Sequence, residues 1–175
     1  MGDTLITVVA IALAAVLMFV FPLMTMSDRT DDVSQLTVET ATTDFVDNVR
    51  TTGKITMDKY SKFVDSISST GNSYDVELEA KILDENPGKK TVQASSTKIG
   101  ENVYYSMYTS QILDTLSDKK TLAFKEGDLF SVNVKNTNTT MSQQLKNFFY
   151  SVTGNDTYTI AASHAGFVTA NGTGK

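Results

Sequence analysis

His164 is the sole histidine of this 175-residue chain, and there is no cysteine. Those two facts remove most protein chemistry at once. A Ser-His-Asp triad would have to be built on His164, a zinc cage has neither thiolates nor a second imidazole, and no disulfide or thiol nucleophile exists. His164 itself reads as a side chain alternating outward on the last strand. Ser95 and Lys98 match a Ser-x-x-Lys spacing, but that chemistry needs the serine at a helix start, and here it lies in a Ser/Thr-rich stretch with strand character. Asp28, Asp31 and Asp32 cluster oxygens of the kind calcium prefers, yet no glycine-turned loop supports them. They read as a solvated acidic collar. Gly172-Thr-Gly-Lys175 mimics the end of a phosphate loop without a helix to follow. No catalytic, cofactor-binding or metal site is expected, and no enzyme. Asn138-Thr-Thr, Asn155-Asp-Thr and Asn171-Gly-Thr are glycan-acceptor patterns, meaningful where the cell glycosylates its secreted proteins.

All the basic residues and every acidic one except Asp3 lie beyond the opening apolar run, leaving a mildly acidic remainder with no Lys/Arg cluster. That balance argues against nucleic acid. A hydrophobic share of 41% argues for a folded domain over a disordered tail.

The element that dominates the chain is its beginning. From Leu5 to Met26 there is no charge, and a helix over that run is about 33 Å long, enough to cross a hydrocarbon core of about 30 Å. A cleavable signal peptide would carry a basic flank and a small-residue cleavage site. This flank carries Asp3 instead, and the run leads into Phe21-Pro22-Leu23-Met24. Arg29 sits among acidic neighbours, a collar that suits the outer side of a membrane, so the remainder is expected outside. Pro22 removes the hydrogen bond to the Met18 carbonyl, and an interruption is expected near it.

Beyond the collar, Val38, Ala41, Phe45 and Val49 recur at helical spacing, so the helix is expected to continue as an amphipathic rod capped by Gly53. "ITMDKYSKFVDSISSTGNS" reads as a second helix with Thr56 as N-cap and Tyr60, Phe63, Val64 and Ile67 inward. "YDVELEAKI" alternates strictly, which predicts a strand with Tyr74, Val76, Leu78, Ala80 and Ile82 inward. A turn at Asn86-Pro87-Gly88, a strand over 91–99 and a helix from Tyr104 to Leu116 follow. A strand over 128–135, a helix from Met141 burying Met141, Leu145, Phe148 or Phe149, and Val152, and a last strand near 158–168 complete the chain. The fold class is α+β: a long N-terminal hydrophobic helix continuing into a small head with an antiparallel sheet of three to five strands. Residues 1–53 form the helical part and residues 54–175 the head.

This arrangement, together with "FVDNVRTTGKITMDKYSKFVDSISSTGNSYDVELE" and the later "GDLFSVNVKN", resembles type IV pilin-like proteins, closest to the Tad-type, TadE-like pseudopilins of Gram-positive bacteria. The likeness covers residues 1–83 and 126–136. It implies a structural subunit of a cell-surface filament. Such a subunit sits in the cytoplasmic membrane first, and the pilus assembly machinery then draws it into a helical polymer of its own copies. The residues this assigns to self-assembly are Asp3, Leu5, Val9, Ala10, Ala12, Leu13, Ala14, Ala15, Val16, Phe19 and Pro22, the alanines allowing close helix approach. Two departures stand out. The leader peptidase of the family cuts after a glycine that follows a basic leader, whereas Gly2 follows only Met1; either this is the processed form or processing differs. A glutamate expected at the fifth residue of the processed chain is Thr7 or Leu5 here, depending on the start. Asp3 is the nearby carboxylate, expected to pair with a neighbour's terminal amine. The alternative reading is a monomeric, single-pass anchored extracellular domain serving a secretion or conjugation apparatus.

Overall fold

The computed structural model describes residues 2–84, 104–150 and 159–172, with the side chains of 148–150 excepted. Its spine is α1, Gly2–Thr52, one continuous helix of 51 residues and about 76 Å. The interruption expected at Pro22 does not occur; the helix runs through it. From Ser27 onward α1 buries one stripe, Val38, Phe45, Val46 and Val49, with the polar Ser27, Asp31, Ser34 and Thr42 on the same side. The helix stops at Gly53, whose φ of +66° only glycine adopts without strain, and whose N–H reaches the Val49 carbonyl at 2.8 Å. A Cβ there would also stand 2.3 Å from the Ala170 carbonyl oxygen.

Next come β1 (Lys54–Thr56) and α2 (Met57–Ser68), the latter capped as expected by Thr56 Oγ1, which accepts from the Lys59 N–H at 3.3 Å. β2 (Tyr74–Leu83) carries the strict alternation, with Leu78 and Ala80 fully inside. The segment expected to be helical from Tyr104 divides into a strand, β3 (Tyr104–Tyr108), and a helix, α3 (Thr109–Lys119). Aromatic residues favour the pleated surface, and the four-residue spacing of Ile112 and Leu116 applies only after Thr109. Then follow β4 (Thr121–Ala123), β5 (Leu129–Asn136), α4 (Met141–Tyr150) and β6 (Ala161–Phe167). The turn and strand expected over 86–99, and Val152, lie outside the described residues.

The described strands form a two-stranded pair, β1–β4, and a four-stranded antiparallel sheet ordered β3-β2-β5-β6. The architecture is α+β. One face of the sheet, with Leu78, Ala80, Phe130, Val132 and Val134, packs against α1 and the inner faces of α2 and α3. Phe45 is the hub: its ring stacks on Phe63 at 4.6 Å and meets the edge of Phe130 at 6.0 Å. α1 also holds the edge of the sheet. Gln35 gives its amide N–H to the Ala161 carbonyl at 2.7 Å and accepts the Ala161 N–H at 3.0 Å. Arg50 donates to the Phe167 carbonyl at 3.0 Å, at the other end of β6.

Candidate functional site

The eleven residues singled out for self-assembly all lie on the N-terminal half of α1, and none of them is brought into a pocket. Every one is solvent-facing in the isolated chain; Phe19, for instance, is 77% exposed. The most apolar stretch of this helix has a mean hydropathy of 2.8, and no part of it is buried within the chain. By length and composition α1 can cross a membrane. Its hydroxyls are reconciled with an apolar setting by bonding back to their own helix. Thr7 donates to the Asp3 carbonyl at 2.7 Å and Thr25 to the Phe21 carbonyl at 3.1 Å.

Just above this bare rod, the acidic collar proves to be a docking seat. Asp31 Oδ2 accepts the Thr140 hydroxyl at 2.7 Å, and Asp28 accepts both the Ser142 hydroxyl and the Lys146 ammonium, the latter at 2.7 Å. Thr140 and Gln143 cap α4 reciprocally: the Gln143 N–H donates to Thr140 Oγ1 at 3.2 Å and the Thr140 N–H to Gln143 Oε1 at 3.0 Å. Two carboxylates at this helix start also meet its positive end. The hydrogen bonds from Lys146 and Ser142 hold the Asp28 carboxyl below the usual aspartate range. The collar is therefore not simply solvated; Asp32 alone of the three is exposed. The same docking explains why Met141, expected inward, is 62% exposed, while Ser142 and Gln143 are buried.

At the top of α1, His164 turns toward the helix rather than outward. Its register partner is Val132, a core residue, so both point to the α1 side of the sheet. Its Nε2 lies 3.5 Å from Asp47 Oδ1 and makes no hydrogen bond. Asp47 is held by Arg50 Nη1 at 2.7 Å, which pulls its carboxyl below the ordinary range.

Compared with known protein families, curated proteins and solved structures, the chain finds no match.

One concavity is an open dish of about 790 Å³ on the outer face of the sheet, lined in part by Glu77, Glu79, Tyr108, Ser131, Asn133 and Ser163. Its carboxylates are already engaged: Glu77 accepts from Asn133 Nδ2 at 3.1 Å, and Glu79 from Ser106 Oγ on the neighbouring strand at 3.0 Å. Among the described residues no three His, Cys, Asp or Glu side chains stand together as metal ligands would. Asn138 has both ends of its amide engaged, donating to Asn72 at 3.0 Å and accepting the Ser73 N–H at 2.7 Å. Asn171 accepts the Glu126 N–H at 3.0 Å. Asn155, Ser95 and Lys98 lie outside the described residues.

Two functional candidates escaped the hydropathy reading. Val33 and Leu36, at 65% and 64% exposure, form an apolar patch on the outward face of α1 within the head-bearing half. Their signal was present as a three-residue spacing among polar neighbours, hidden because the stronger stripe through Val38 and Phe45 faces the other way.

Proposed function

We propose that this chain is the structural subunit of a type IV pilus-like, Tad-like surface filament. The subunit waits in the cytoplasmic membrane with its head outside, and assembly machinery draws it into a helical fibre of its own copies. One observation carries the reading: α1 is a single rod whose polar half is the strut of the head and whose apolar half finds no cover among the described residues of its own chain. A helix apolar on every side must be buried somewhere, and lipid before assembly and sister helices after it both satisfy that need. Head-to-tail contact of identical rods does not close on itself and grows into a fibre. The resemblance of the segment after the apolar run to pseudopilins supports the same reading.

Negative-stain microscopy of material sheared from cells that make the chain tests this. The expected outcome is thin filaments that bind an antibody to the head. Chain recovered solely as a membrane-bound monomer would favour the anchored-domain alternative.

A further inference from the structure

Lipid accounts for the apolar surface of α1 only as far as Met26. A helix spans the hydrocarbon core with about 20 residues, and Val33 and Leu36 stand about 10 and 15 Å beyond Met26 along the axis. Both are exposed, and an anchor gives no reason for them. They belong to an outward line on α1, Arg29, Val33, Leu36 and Thr40, spaced four, three and four residues apart, and all four are exposed. The apolar half carries a second line with the identical spacing: Asp3, Thr7, Ala10 and Ala14, also all exposed. The two lines differ by a constant 26 positions, about 39 Å of helix.

Laid side by side in parallel, the lines are complementary at each level. Asp3, the sole carboxylate of the apolar half, meets Arg29, the sole cation before the head's core stripe begins. Neither charge has an ion-pair partner among the described residues of its own chain. Val33 meets Thr7, and the large Leu36 meets the small Ala10, as close packing of helices requires. Thr40 meets Ala14.

We infer that these two faces of α1 pair between copies, so that the N-terminal half of one subunit covers the Arg29–Thr40 line of another displaced by about 39 Å. The inference rests on the filament reading and gives it a register. Copies inserted in one direction are parallel, so the offset repeats along the fibre. The planar guanidinium fork of Arg29 suits a carboxylate. Asp3 is thus matched by a group that the chain itself supplies.

Because the chain has no cysteine, introduced thiols are the sole ones present. Ala10→Cys with Leu36→Cys in one full-length chain, oxidised mildly on cells, should give a ladder of linked oligomers. Phe21→Cys with Leu36→Cys, on the same N-terminal face but about 16 Å off register, should not. Asp3→Arg and Arg29→Asp should each cut filament yield about tenfold, and the double exchange should restore it, with the thermal transition of the head unchanged throughout. Filaments in which the Phe21 pair links and the Ala10 pair does not overturn the register while leaving the filament reading intact. So does an Arg29→Ala chain that assembles normally where Asp3→Ala does not, since that assigns Asp3 to the terminal amine. Neither filaments nor ladders from the wild-type and cysteine chains would overturn both.

Discussion

Below Met26, α1 is apolar and bare; above it, the same helix is rich in threonine and aspartate and is packed. The polar half is the buried one. Ser27, Asp31, Ser34 and Thr42 lie inside the molecule, while Leu5, Met18 and Phe19 lie outside it. The contrast teaches that composition reports what surroundings a helix face can tolerate, and not which neighbour supplies them. A threonine-rich helix has weak intrinsic propensity and needs tertiary contacts to persist. The sheet and α4 supply them above, whereas the leucines, valines and alanines below need no partner from their own chain.

The largest effect that should separate the halves is truncation of the hub. Phe45→Ala removes the ring stacked on Phe63 and set against Phe130, and it should cost about 3–5 kcal/mol of head stability, read by thermal or denaturant unfolding. Phe19→Ala, the same change on the bare half, should leave that transition within about 0.5 kcal/mol of wild type. Equal losses at the two sites would abolish the distinction.

Next in size is Asp31→Ala. It leaves the Thr140 hydroxyl without its acceptor at a buried site, for an expected loss of about 1–3 kcal/mol and faster amide exchange in α4. Asp32→Ala, one residue on and exposed, should do neither.

The smallest is a pH effect. Asp28 titrates below its ordinary value in the folded chain, so the folded state binds fewer protons than the unfolded one. Its contribution is complete above the ordinary aspartate range and is lost as pH falls through the lowered folded value. The group is partly exposed and screened, so the contribution is at most about 1 kcal/mol. Stability curves between pH 2 and pH 6, about the titration range of aspartate, should converge for wild type and Asp28→Asn at the acid end and separate at the other. Parallel curves would mean that the pair with Lys146 adds nothing.

Much of the frame was legible in the residues. The alternation of "YDVELEAKI" gave β2 and its inward set, Thr56 gave the start of α2, and Gly53 gave the end of α1, because each signal is local. What was not legible depends on partners remote in sequence. Asp31 finds Thr140 across 109 residues, so no window on the collar could show that it seats a helix. His164 was turned the wrong way because a strand's alternation does not say which parity faces in; pairing with Val132 decides that. Tyr104–Tyr108 was lost to a helical spacing that belongs to the residues after it. The candidate site was legible in outline, since a long uncharged run announces itself. The Val33–Leu36 patch was not, because its exposure is defined only once the opposite face has packed.

Gln35 has one more consequence. An edge strand with free peptide groups is a template on which any extended chain can grow. By offering Ala161 an amide donor and acceptor, Gln35 occupies the bonds an incoming strand would use at one end of β6, and Arg50 takes the Phe167 carbonyl at the other. The helix thus protects this border of the head against amyloid-like growth.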